Sequence, residues 1–179
     1  MPVISLPAAD GAGPPNSDFD RVRELLGREP QGRFEIVVRD GNDDPVVLRN
    51  DPLLDDGTPM QTRYWLISRS LVAAVGRLEA AGGVRQAERE ISAAEIAAAH
   101  ARYRAERDAA LPVDYNGPTP SGGVAGTREG VKCLHAHYGW YLAGGDDPVG
   151  RWVAERIGEY TKDSDPMVAP SRCVVVETE

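Results

Sequence analysis

Apolar positions recur along this chain with two periods, and the change from one to the other divides it. Phe19, Val22, Leu25 and Leu26 fall three and four apart, as on one face of a helix, with Ser17 placed to cap it and Gly27 to end it. Residues 33–38 (RFEIVV) and 45–49 (PVVLR) are β-branched runs on either side of the turn cluster Asp40 to Asp44, which predicts an antiparallel hairpin. Residues 62–67 predict a third strand, with Thr62, Tyr64 and Leu66 on one face and Arg63, Trp65 and Ile67 on the other. The expected sheet has three strands and carries helices over one face.

From Ser68 onward the period is helical. Leu71, Val75, Leu78 and Gly82 fall at spacings of three and four, and Gly82-Gly83 predicts a stop. Ser92 and Glu95 have the spacing of a capping box, in which each side chain satisfies the other residue's orphan amide. The helix it starts runs through Ile96, Ala99, Tyr103 and Arg107, and Arg102, Arg104 and Glu106 read as its solvated face. Residues 111–127 hold too much Pro and Gly to be regular, so they predict either a connector or a loop covering the next helix. Arg128 to Leu142 reads as a single helix, Gly144-Gly145 breaks it, and Asp147 with Pro148 opens a last helix through Trp152, Val153 and Ile157. The fold class expected is α+β, a small antiparallel sheet of about three strands packed against about five helices. Its organisation is a disordered leader over 1–15, a single domain over 16–161 and a tail over 162–179, where Cys173 to Val176 could add an edge strand.

Composition narrows the function classes. A chain of 179 residues, 41% hydrophobic and 27% charged, suits one core. A net charge of −8 opposes broad binding to nucleic acid or to anionic lipid, both of which work by releasing counterions onto Lys and Arg. No run approaches the roughly 18 apolar residues of a membrane span, and the first residues lack a signal peptide's basic start and apolar core. The cytoplasm is the expected compartment, with Cys133 and Cys173 as free thiols.

Candidate chemistry gathers in one stretch. Lys132, Cys133, His135 and His137 hold one of the two cysteines and two of the three histidines, although they complete no catalytic motif. If this stretch is helical, Cys133 and His137 stack one turn apart at the edge of the core. A thiolate and an imidazole so placed could ligate zinc, or His137 could activate Cys133 as a nucleophile. Arg128 and Lys132, with the glycines Gly122, Gly123 and Gly126, could cradle a small anion at the positive end of the helix, with Arg63 and His135 as further ligand-binding candidates. The plain alternative is that these side chains are simply packed.

Several segments together resemble a bacterial family, found largely in actinobacteria, known as domain of unknown function number 501. They are Leu26-Gly27-Arg28 with Pro30 and Gly32, Asp56 to Pro59 with Thr62 and Tyr64 to Leu66, Leu78-Glu79 with Gly82, Val131 to His135, and Leu142 to Gly145 with Pro148 to Gly150. The resemblance implies no activity. Genes of such proteins are often seen beside those for a septum-formation protein and an exopolyphosphatase, so the resemblance implies a link to cell division or phosphate metabolism. The resemblance implies that relatives often carry Cys-Pro in the hairpin turn and Cys-Pro or His-Pro after the third strand, where this chain has Asp40-Gly41 and Ser68-Arg69. If those residues serve a zinc site with Cys133, this chain lacks two soft ligands, leaving Asp40 as an oxygen donor beside Cys133 and His137. The function expected is a binding or regulatory protein that holds a small anionic ligand or a metal ion. The alternatives are a small enzyme using Cys133 and His137 on a phosphorylated or acyl substrate, and an interaction module for a protein partner in cell division.

Overall fold

Residues 18–161 are described by the computed structural model; the expected leader, the Ser17 cap, the tail and Cys173 lie outside the described residues. The first helix, α1 (Asp18–Leu26), precedes a hairpin of β1 (Phe34–Arg39) and β2 (Pro45–Asn50). β3 (Tyr64–Leu66) joins β2, giving an antiparallel sheet in the order β1-β2-β3. Pairing of Val47 with Leu66 and of Leu48 with Trp65 sets the register. Because side chains alternate across a strand, Val47, Tyr64 and Leu66 enter the main core, while Leu48 joins Val22 and Ile67 in a second cluster with Leu25, Leu26 and Trp65 packed against it.

Helices therefore cover both faces of the sheet, not the one face that the sequence predicts. The apolar stripe of α1 needs somewhere to bury, and the back of β2 is where it goes. Salt bridges fix it there: the Arg21 guanidinium reaches both carboxylate oxygens of Asp44 at 2.7 Å, and Arg39 pairs with Asp18 at 2.7 Å. The Arg21 hydrogen bonds also hold the Asp44 carboxyl below its usual range.

The other helices are α2 (Arg69–Ala80), α3 (Gly83–Glu90), α4 (Ala93–Ala109), α5 (Leu134–Leu142) and α6 (Pro148–Arg156). Among the described residues there are thus six α-helices where about five are expected, and α3 is the addition. It restarts directly after Gly82, whose φ of 89° turns the chain in a conformation that L side chains rarely adopt. The capping box of Ser92 and Glu95 forms as its spacing predicts, and Asp147 caps α6 through the amides of Val149 and Gly150.

α5 is clasped between β3 and α6, and two glycines permit it. A Cβ on Gly139 would sit 3.3 Å from the Leu66 amide nitrogen, and one on Gly150 would sit 2.6 Å from the His137 carbonyl oxygen. On α4 the residues Ile96, Ala99, His100, Tyr103 and Arg107 are buried, so the predicted face is the observed one. Its charges do more than meet solvent. Glu106 accepts hydrogen bonds from the Tyr64 hydroxyl and from Trp140 Nε1 (3.0 Å), and burial together with Glu106 pushes the Tyr64 pKa up to about 12. The fully buried Arg107 guanidinium donates to the carbonyls of Pro120 (2.7 Å) and Gly122 (2.9 Å), tying down the Pro/Gly loop.

Candidate functional site

The stretch that reads as one helix from Arg128 starts its helix only at Leu134. Gly130, at φ 64°, is left-handed, and Cys133 is extended at φ −155°, so neither continues a helical turn. A partner from another element fixes the start: Glu79 on α2 accepts the Leu134 amide at 2.6 Å, doing the work of an N-cap side chain. Arg128 and Lys132 consequently lie before the helix and do not stack on its first turn. Lys132 Nζ donates to the Ala125 carbonyl at 3.4 Å, and Arg128 stands at the rim of a cleft beside α4.

Cys133 is partly buried, and burial pushes its thiol pKa up, with the Ala136 amide opposing the shift. His135 Nε2 donates to the Val72 carbonyl at 3.1 Å, and its Nδ1 lies 3.3 Å from Glu79. His137 is wholly buried and its Nδ1 donates to Asp147 Oδ2 at 2.7 Å; the other carboxylate oxygen of Asp147 caps α6. Its Nε2 is buried and has no hydrogen-bond partner among the described residues. Asp40 belongs to the hairpin turn, where its Oδ1 accepts the amides of Asn42 (2.8 Å) and Asp44 (2.9 Å). Ser68 exchanges a hydrogen bond with Ser70. No group of three or more His, Cys, Asp or Glu among the described residues could hold a metal ion, so Cys133, His137 and Asp40 are not brought together as a zinc shell. Arg63 is engaged internally, donating to the Asn50 carbonyl at 3.2 Å and lying 3.5 Å from Glu106.

The third histidine, His100, lies outside the Lys132–His137 stretch that the sequence singles out. His100 is 3% exposed, and its ring centroid lies 5.6 Å from that of His137. Its Nδ1 accepts the Val124 amide at 3.1 Å and its Nε2 donates to the Gly130 carbonyl at 2.9 Å, a pair of bonds that fixes the neutral Nε2–H form. Burial is the main cause that lowers its pKa, with the nearby His137 adding to the effect while Gly130 and Asp147 oppose it. One imidazole thus pins the segment 124–130 at two points. Gly123 passes so close that an added Cβ would stand 2.4 Å from His100 Cβ. A sequence signal was available: His100 lies four residues after Ile96 and three before Tyr103, on the apolar side of α4.

That pinned segment forms one wall of the cleft, which has a volume of about 460 Å³. The opposite wall is a single face of α4, with Ala93, Ile96, Ala97 and His100 at helical spacing, and Glu88 of α3 closes one end. Small side chains at 93 and 97 leave the space open. Arg128, Glu129 and Gly130 line the other side, held there because Gly130 is bound to His100 and because Glu88 accepts the Val131 amide at 2.9 Å. The cleft is mainly apolar, with its charges at the rim, as is usual for small-molecule sites of roughly 300–1,000 Å³. Cys133, His135 and His137 do not line it.

Comparison with known proteins places the chain in a family. Residues 36–155, two thirds of the chain, match the family model described as "Protein of unknown function (DUF501)". No curated protein and no solved structure matches. No described helix is long and apolar enough to cross a membrane.

Proposed function

Because the chain belongs to the DUF501 family, whose description carries no activity, its function has to be argued from its own geometry, and we propose that it is a binding protein for a small molecule held in the α3/α4 cleft. The observation that carries this reading is the cleft itself: an apolar floor of about 460 Å³ whose far wall is fixed by two hydrogen bonds to a buried histidine. A site whose wall is already ordered loses little entropy on binding. Arg128, the one cation among the lining residues, is the group the expected anionic moiety would meet.

Two other readings have less support. A nucleophilic Cys133 needs a lowered thiol pKa and an imidazole that takes its proton, whereas burial raises that thiol and the free Nε2 of His137 has no hydrogen-bond partner among the described residues. Zinc would need donors that the described residues do not assemble. A role in cell division through a protein partner draws on no particular surface.

Ala97→Trp tests the proposal, since it fills the cleft from an exposed position on α4. Ligand-detected NMR against a fragment library should find molecules that bind the natural protein and are lost in this variant at unchanged melting temperature. Absence of binders to the natural protein, or binders indifferent to the substitution, would overturn it.

A further inference from the structure

The charges around the cleft are of both signs and do not neutralise each other. Among the described residues, the Arg128 guanidinium and the Glu129 carboxylate enter no hydrogen bond or ion pair, though both line the opening. Glu88 is anchored by one oxygen to the Val131 amide at 2.9 Å, and a carboxylate accepts more than one bond, so it too can receive a donor. Two carboxylates and one guanidinium therefore surround a floor made of Ala93, Ile96 and Ala97. The imidazole of His100 adds no free polar atom, because both its nitrogens are engaged with Val124 and Gly130.

Each simple ligand class meets an obstacle here. A purely anionic molecule would face two carboxylates for one cation. A purely cationic one would leave the guanidinium unmatched. A wholly apolar one would cover both kinds of rim charge without replacing their water. A molecule with an ammonium, a carboxylate and an apolar body answers all three. We infer that the cleft takes a small zwitterion of that kind, the chemistry of a free amino acid or dipeptide with an aliphatic or aromatic side chain, with its carboxylate on Arg128 and its ammonium on Glu88 and Glu129. The inference rests on the small-molecule reading above and adds the ligand's class to it.

Complementary charge also governs selection. Removing either charge from the ligand leaves a rim group without its partner, and a charge-assisted hydrogen bond is worth enough to shift affinity roughly tenfold or more.

Isothermal titration with L-leucine, L-phenylalanine and leucyl-leucine, set against isoamylamine and isovalerate, tests this. At least one zwitterion should bind at least about tenfold more tightly than either single-charge analogue. Arg128→Gln should weaken the zwitterion but not isoamylamine, while Glu129→Gln should weaken the zwitterion but not isovalerate. Both residues are exposed, so the fold survives either change. Free amino acid and dipeptide separate by which of leucine and leucyl-leucine binds more tightly. Equal or tighter binding of isovalerate or isoamylamine overturns the inference. So does failure of all three zwitterions when the fragment library yields other cleft ligands, a result that leaves the small-molecule reading standing; no cleft ligand of any class removes both.

Discussion

At the scale of single residues, His100 holds the wall of the cleft in place through Val124 and Gly130. Gly123 runs against its ring with no room for a methyl group, so Gly123→Ala should destabilise the protein by about 2 kcal/mol through forced displacement of the imidazole. Gly158→Ala is the control, because a Cβ there meets nothing within 4 Å. Urea denaturation of the two variants should separate them clearly. The pH dependence comes from the same ring. Burial lowers the pKa of His100 in the folded protein below its ordinary 6.5, so the unfolded chain binds more protons as the pH falls past that value. Its contribution to stability is complete above about pH 6.5 and shrinks below it, by at most about 1.4 kcal/mol per pH unit, until the folded-state pKa is reached. Protonated Nδ1 would set two donors, itself and the Val124 amide, against each other. Around the ring, His137 and Arg104 oppose the charge while Asp147 favours it. Denaturation at pH 7.5 and 5.5 should show a drop in stability larger in the natural protein than in His100→Gln; equal drops would contradict the assignment. Sequence reading points to Cys133 and His137 because they sit close together in the chain. Proximity in sequence says nothing about His137 reaching Asp147 or about His100 facing it across the core, since those contacts join different elements.

At the scale of elements, most of the chain is legible. The hairpin, the third strand, the capping box and the Asp147-Pro148 start are signalled by local chemistry, and local chemistry forms them. The departures have two causes, one local and one long-range. α3 escapes notice because Gly82-Gly83 looks like an end, and because Val84 and Ala87 are too few to mark a periodic stripe in so charged a segment. The start of α5 falls later than the pattern suggests because the group that fixes it, Glu79, lies 55 residues away in sequence. The Pro/Gly loop reads as connector or cover alike, and its anchor is hidden for the same reason. Arg107 reads as a charge near the end of a helix, yet its guanidinium is buried among the carbonyls of Pro120, Ser121 and Gly122. Replacing it with leucine leaves those acceptors without a donor, so Arg107→Leu should cost about 3 kcal/mol. Amide exchange in residues 111–123 should quicken more than in β2; uniform exchange across both would show that the loop does not depend on this arginine.

At the scale of the whole molecule, a sheet covered on both faces supports a helical half in which α3, α4 and residues 128–130 frame an apolar hollow with charged edges. The net charge of −8 and the mixed rim together disfavour a polyanion and suit a small ligand. Fold class and family are both readable from the chain, and the family model spans all the elements that build the cleft. The cleft itself is not readable, because its walls come from α3, α4 and a loop some 30 residues further on that meet only after folding. The most direct test of its role is a two-dimensional NMR titration of the natural protein with the tightest-binding molecule from the library. Saturable shifts should concentrate at residues 88–100 and 128–131, with the Ile96 methyl and the Gly130 amide among the largest. Shifts centred on Cys133 and the start of α5, or on the sheet, would contradict the account.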